Sequence, residues 1–319
     1  MDNSIPQLVY HYCSSETFVK IIESSVLRMT NITKSNDYEE VVYSAEYFKR
    51  AFRNGCRKFI KDYKDSDFAE IFEQIDFDDL VENCIKCESL VYYTVCFSET
   101  EDLLSQWRGY ASDGTGVSIG FEKTIFEAAL KHRMFKFGRV IYDISEAQAS
   151  FTQLVYTRLL DVYEKKSTPK TTDDYINALN KLVSLLVYST VFYKNPAFSE
   201  EREWRLVFYP FGNIRNLSLH GMKSYDGANQ LFYDRMLEFT NHATQAGNFC
   251  INPISFYNKG NSVTSYADVD FSKVKKRLIR QIVFGPKSRS NDLDIRLFLL
   301  SNGYDLSRIK FRDSVAPYR

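Results

Sequence analysis

The chain has 319 residues, 44% hydrophobic and 26% charged, with 41 basic residues against 41 acidic ones. That balance suits a soluble globular protein with a sizeable core and argues against one that coats nucleic acid nonspecifically. The longest apolar run, Leu182–Tyr193, is too short and too broken by Ser and Thr to cross a bilayer, so no membrane role is expected.

Leu8–Tyr12 is predicted as a first strand, ending in His11-Tyr12. The segment before it lacks a basic head and an apolar core, so a cytoplasmic protein with reduced thiols is expected. Ser14 and Ser15 are good N-caps, Glu16 favours a first turn, and Phe18, Ile21 and Ile22 share one helical face. Val26–Thr30 is a second short strand. A His at a strand end before a helix is well placed to touch an anionic or sugar-bearing ligand, although a purely structural His fits the same spacing. Asn36-Asp37-Tyr38-Glu39-Glu40 opens a helix with apolar positions at Val42, Ala45, Phe48 and Phe52. A further helix within Phe68–Ile85 follows. Cys84 and Cys87 form a CxxC in this acidic stretch, but no second pair follows at zinc-like spacing, so no metal is expected there.

The stretch Val91–Phe121 is the centre of interest. Val91–Phe97 and Gly116–Phe121 are β-rich runs, and between them lie Ser98, Trp107, Arg108, Tyr110 and Asp113. Leu103, Leu104 and Trp107 sit at helical spacing, which predicts a short helix ending near Gly109. Strand, polar turn and aromatic helix can make the wall and rim of a cleft. Arg139–Tyr142 is then predicted as a strand. Residues 144–193 form a helical hairpin around the polar turn Lys165–Asp174, inserted in or packed on the sheet.

Alternation from Glu201 to Phe208 puts Glu201, Glu203, Arg205 and Val207 on one strand face, and Trp204, Leu206 and Phe208 on the apolar one. Carboxylates on a strand facing a cleft can orient a sugar hydroxyl and activate a nucleophile. Charges that protect an exposed edge explain the pattern equally well. Residues 210–265 read as irregular, with a helix at Gln230–Thr240. Leu278–Phe284 and Arg308–Phe311 are the last strands, flanking a helix capped by Ser290 or Asn291 that runs through Leu300. Charge is uneven along the chain. Residues 62–102 carry 13 acids against 2 bases, and residues 271–319 carry 12 bases against 4 acids. Either segment can serve as a face for a protein partner or as a solvated surface.

The order of these motifs resembles a bacterial family known as domain of unknown function 2971. The matching pieces are His11-Tyr12, Asn36-Asp37 with Glu40, Cys96-Phe97-Ser98-Glu99, Trp107–Tyr110 with Gly116 and Ile119-Gly120-Phe121, Glu201-x-Glu203-Trp204-Arg205, and Ile282–Gly285. Tyr38 departs from the pattern, where the family tends to have Pro. The family resembles, distantly, the ADP-ribosyltransferases. The resemblance implies a single α+β domain over 1–319, built on a split, mostly antiparallel sheet that grips NAD.

Carried onto this chain, His11 would hold the nicotinamide-side ribose, Ser98 would support the binding wall and Tyr110 would stack on nicotinamide. Glu203 would stabilise the oxocarbenium-like sugar, and Glu201 would orient the acceptor. Tyr12, Trp107 and Arg205 are expected in the same wall, with Asn36, Asp37 and Glu40 elsewhere in the cleft. The implied activity is an NAD-consuming transferase or glycohydrolase, acting in phage conflict or as a toxin on a protein or nucleic-acid acceptor. NAD is then the substrate and no metal is expected. Two alternatives stand beside it: an inactive sensor or ligand-binding module of a defence system, and a nuclease-like effector using Asp37, Glu40 and the basic C-terminal region.

Overall fold

The computed structural model describes residues 7–32, 38–64, 66–74, 92–129, 134–164, 189–210 and 237–318. The first strand, β1 (Leu8–Cys13), feeds helix α1 (Ser15–Ser24), which starts because Ser14 accepts the Thr17 amide at 3.1 Å and Glu16 meets the positive helix end. Ser25 ends it in the left-handed region at φ 54°, and β2 (Val26–Asn31) follows. Helices α2 (Tyr38–Tyr63) and α3 (Ser66–Gln74) come next, then β3 (Tyr93–Ser98), α4 (Leu104–Tyr110), β4 (Val117–Glu122) and α5 (Lys123–Ala129). Strand β5 (Phe135–Arg139), helix α6 (Ile144–Glu164) and strand β6 (Glu203–Phe208) complete the middle of the chain. The last third holds β7 (Thr244–Ala246), β8 (Phe249–Ile251), β9 (Ser255–Lys259), β10 (Ser262–Asp270), α7 (Lys275–Leu278), β11 (Ile279–Phe284), α8 (Asp292–Ser301) and β12 (Lys310–Asp313).

Two expectations change. The strand placed at Arg139–Tyr142 lies earlier, at β5, where Phe135 and Phe137 alternate into the core and Lys136 does not. Residues 244–270 are not irregular: they are four strands, with β9 and β10 joined through Gly260 at φ 63°. Polar residues fall on both faces of β10, with Ser265 on the face of Ala267 and Val269 and Thr264 on the other, so the segment lacks the apolar alternation that marks a strand. Of the helix placed at Gln230–Thr240, only residues 237–240 are described, and these are helical. Residues 165–188 of the 144–193 hairpin, and Cys84 and Cys87, lie outside the described residues; Ser189 and Thr190 are helical and Val191–Tyr193 are not. Cys13, Cys56, Cys96 and Cys250 are free thiols.

The sheet runs β12-β11-β4-β1-β3-β2-β10-β8-β7, with β6 on the other edge of β3, β5 beyond β6, and β9 on β10. Every named strand pair is antiparallel except β11 with β12. One core draws on both ends of the chain: Val9, Met29, Val95, Phe97, Phe121, Leu206, Phe208, Val269 and Ile282 are all buried in it. Trp204 packs against the same core, so the face assigned to Trp204, Leu206 and Phe208 is indeed the apolar one. Helix α5 seals it with Phe126, whose ring lies 5.2–5.9 Å from those of Phe97, Phe121, Phe137 and Phe249. Helices α2 and α6 pack on each other around Phe48, Phe52, Phe59, Phe151 and Val155. No helix among the described residues is long and apolar enough to cross a membrane.

The opposite sheet face is covered in two places. Tyr10, Tyr12 and Val283 lie under Trp107 and Ala111 of the α4 region, and Ile32, Tyr92, Val207 and Tyr209 lie under Val191 and Phe192. Between these apolar patches the face is polar, and the pocket opens there. Because Phe126 fills the hub of the aromatic core, Phe126→Ala should cost about 3–5 kcal/mol in urea unfolding. A loss below about 1 kcal/mol would contradict this packing.

Candidate functional site

The site begins with an unfinished sheet edge. Strand β3 pairs along its whole length with β6 on one side, from Tyr93↔Phe208 to Ser98↔Glu203. Its other edge is shared: β2 pairs at Tyr93 and Thr94, and β1 only at Ser98. Between those points β1 and β2 diverge, and residues 95–97 have no strand partner on that edge among the described residues. A buried carbonyl left there would cost free energy, so a side chain must serve it. His11 does so, with Nδ1 3.0 Å from the Cys96 carbonyl oxygen. A carbonyl only accepts, so Nδ1 carries the proton and Nε2 keeps its lone pair. Burial pushes the imidazole pKa down, the Cys96 bond opposing it, so His11 is neutral near pH 7.

At this split lies a cavity of about 350 Å³, in the range that takes small ligands. It is lined by Tyr10, His11 and Tyr12 of β1, Arg28, Thr30 and Asn31 of β2, and residues 94–97 of β3. Gln106 and Tyr110 of α4, Tyr257 and Thr264 of the β9–β10 hairpin, and Lys194, Glu201 and Glu203 complete the lining.

The charged residues form one chain of contacts. Arg205 is fully buried and donates from Nε and Nη2 to the two Glu203 oxygens at 2.6 and 3.0 Å, and from Nη1 to the Val191 carbonyl at 2.6 Å. Lys194 Nζ lies 2.7 Å from Glu201 and 3.3 Å from Glu203, and 4.8 Å from the Phe198 ring centre. Burial alone would raise the Glu203 pKa, but the Arg205 guanidinium, with help from Lys194 and the Cys96 thiol, lowers it to about 2. Glu203 is therefore a permanent anion at neutral pH. It cannot act as a general acid there, but it can stabilise positive charge.

The structure separates the residues singled out from sequence. His11, Tyr12, Tyr110, Glu201 and Glu203 line the cavity together, and Tyr110, 54% exposed, stands at its rim. Glu201 is not on the strand: it ends a 3-10 helix (Pro196–Glu201), and Arg202, at φ 44°, turns the chain before β6 begins. Lys194 is what brings the two carboxylates to one place. Trp107 does not line the cavity. It is buried under α4, its ring 4.8 Å from that of Tyr12 and its Nε1 donating to Asp102 at 2.6 Å. Ser98 does not line it either. Its hydroxyl donates to the Glu201 carbonyl and accepts from the Thr100 amide, tying the Glu201 turn to β3. Arg205 faces Glu203 rather than the cavity. Asn36 and Asp37 lie outside the described residues, as does the side chain of Glu40.

The rim is held from the C-terminus. Ser112, Asp113 and Gly114 all take positive φ, a costly run that outside contacts must hold. Asp113 accepts from Lys287 at 2.9 Å and from the Tyr318 hydroxyl, while Asp102 accepts from Ser314 and the Val315 amide. Gly116 is needed for close approach, since a Cβ there would sit 2.1 Å from the Cys13 carbonyl oxygen. Sequence reading missed Lys194, Arg28, Cys96 and Thr264 as lining residues. Arg28 and Cys96 fall inside predicted strands, where only alternation marks the face they take, and Thr264 falls in the segment read as irregular.

A family model described as "Protein of unknown function (DUF2971)" matches residues 106–206, which run from α4 to the middle of β6 and include Tyr110, Glu201, Glu203 and Arg205. That match, over about a third of the chain, supports the DUF2971 resemblance and carries no activity with it. No curated protein and no solved structure matches the chain.

Removing one member of a buried ion pair strands the other, so Arg205→Gln should cost about 3–5 kcal/mol at pH 7. The sign with pH follows from Glu203. Its folded pKa lies below the ordinary 4.5, so the stabilisation is present above that value and is lost as pH falls toward about 2. Urea unfolding at about pH 7 and pH 3 should show the wild type and Arg205→Gln converging at the lower pH. A gap that does not change with pH would contradict the assignment.

Proposed function

We propose that this protein consumes NAD, breaking the nicotinamide–ribose bond and passing ADP-ribose to an acceptor or to water. The observation that carries this reading is the convergence of His11, Tyr110 and Glu203, from three separate elements, on one cavity where an antiparallel sheet splits. In the reaction the bonding pair leaves with nicotinamide, and positive charge develops on the sugar. Water or the acceptor then supplies an electron pair to the anomeric carbon and loses a proton. A carboxylate that stays ionised beside the sugar lowers that barrier. Glu203 is such a group. Neutral His11 offers a lone pair to a ribose hydroxyl, and Tyr110 offers a ring to nicotinamide. Glu201, on the Lys194 side, is placed to orient the attacking group.

The occupied state of Glu203 favours a second reading, a ligand-binding module without turnover. Arg205 alone engages both Glu203 oxygens and Lys194 shares Oε2 with it, so catalysis requires the carboxylate to act through its remaining lone pairs, with Lys194 displaced toward Glu201.

The same ion pair shapes the test. Glu203→Gln alone leaves the Arg205 charge buried without its anion, and loss of folding would mimic loss of chemistry. Replacing both partners is usually far better tolerated than breaking the pair. The double variant Glu203→Gln/Arg205→Met should keep a cooperative unfolding transition, yet slow nicotinamide release by roughly 10²–10⁴-fold. Glu201→Gln should spare hydrolysis and weaken transfer. Wild-type protein that binds NAD with no nicotinamide released would favour the binding module. Wild-type protein that neither binds nor consumes NAD would reject the NAD reading and any module that binds NAD.

A further inference from the structure

We infer that the end of the cavity built by β2 and the β9–β10 hairpin is a subsite for a phosphoryl group. The inference deepens the NAD reading in one respect, since it takes from it the identity of the molecule that carries the phosphoryl group. The argument for the subsite itself uses residues that play no part in the proposed bond cleavage.

The cavity is asymmetric in charge. Its carboxylates, Glu201 and Glu203, belong to the β6 end, whereas β2, β9 and β10 contribute Arg28, Thr30, Asn31, Tyr257 and Thr264 and no acid. Strand order places β10 three strands from β6, across β3 and β2, which is about 14 Å at ordinary strand spacing. A ligand that reaches both ends is therefore elongated, with a cation-forming group at one end and hydrogen-bond acceptors at the other.

Arg28 is fixed in place. Its Nε and Nη2 donate to Asp268, its register partner on β10, at 3.1 and 3.5 Å, and its guanidinium lies 3.8 Å over the Tyr266 ring. The clamp engages the Nε–Nη2 edge of the guanidinium, and Nη1 of this cavity-lining residue makes no hydrogen bond among the described residues. Asp268 offsets part of the charge, so recognition there depends on directed donors as well as on net charge.

Thr264 gives the second, independent observation. It is 2% exposed, it lines the cavity, and its hydroxyl has no hydrogen-bond partner among the described residues. Tyr257, its register partner on β9, lines the same cavity. A buried hydroxyl without a partner costs stability, so its retention calls for an explanation, and a ligand that the hydroxyl meets by rotation about the Thr264 side-chain bond supplies one. Thr30, whose register partner is Tyr266, adds a second hydroxyl at this end. An arginine edge and two hydroxyls, with no lining acid, match the acceptor oxygens of a phosphoryl group.

The test compares nicotinamide riboside, nicotinamide mononucleotide and inorganic pyrophosphate by titration calorimetry. The first two differ by one phosphoryl group, and the third carries phosphoryl groups alone. Wild-type protein should bind the mononucleotide at least about tenfold more tightly than the riboside, the expected value of a charge-assisted hydrogen bond. Arg28→Gln and Thr264→Val should each cut that preference to about twofold while leaving riboside affinity unchanged. Thr264→Val should also unfold at the same temperature as wild type or higher, because it removes an unsatisfied hydroxyl and keeps the shape. A loss of affinity in that variant therefore cannot be misfolding. Equal binding of riboside and mononucleotide would overturn the subsite and leave the NAD reading standing. Pyrophosphate binding that depends on Arg28 and Thr264, with neither nicotinamide compound bound, would support the subsite and remove the NAD reading. No binding of any probe would overturn the subsite.

Discussion

The structure depends on one strand edge that two strands share and neither completes. Strand β3 is satisfied by β6 along one side, but on the other it takes β2 at one end and β1 at the other. The wedge between them interrupts the ladder in the middle of a sheet that is otherwise closed by neighbours. Backbone groups in such a gap need partners from side chains, and this requirement fixes the His11 tautomer. The same divergence opens the cavity. Packing on the reverse face, where Val95 and Phe97 are buried, keeps β3 in place despite its interrupted edge.

A second constraint follows from what the gap exposes. Apolar clusters cover the sheet face on either side of the cavity, so charges beside it sit in a poorly solvated environment. Burying an ion pair is seldom a source of stability against an apolar alternative. The arrangement of Glu203, Arg205, Lys194 and Glu201 is thus better explained by what it does to Glu203. It holds one carboxylate ionised, oriented and next to a cavity that Lys194 also lines. A strongly perturbed group beside a cleft is a candidate functional group. The rim follows a similar logic at lower cost: strained residues before β4 are held by the C-terminal segment, which keeps Tyr110 at the mouth of the cavity.

Much of the frame was legible because it is written in periodicity. The alternation in β6 marked Trp204, Leu206 and Phe208 as the core face, and the Ser14 and Asn291 caps marked two helix starts. The strand that carries His11 and the short helix that carries Tyr110 were legible in the same way, although His11 lies inside β1, paired with Ile119, and not at the strand end expected of it. What escaped depends on distant contacts. Nothing near Lys194 in sequence shows that it bridges two carboxylates. Alternation put Glu201 on a strand because a period of two cannot register the left-handed turn at Arg202. Trp107 looked like a rim residue because aromatic residues serve rims and cores alike; its burial follows from Tyr12, far away in sequence. The β9–β10 hairpin was missed because polar residues fall on both of its faces and apolar ones such as Phe256 and Val263 are exposed, which leaves no clean alternation.

The central claim is that the split in the sheet is where the ligand sits, and backbone amide exchange measured with and without NAD tests it most directly. Ligand in the cavity should slow exchange across residues 94–97 of β3, at the start of β6 and in the β9–β10 hairpin. The α2 and α6 layer, which packs around its own aromatic cluster, should not change. Protection confined to that helical layer, with the β3 amides exchanging as they do without NAD, would contradict the account.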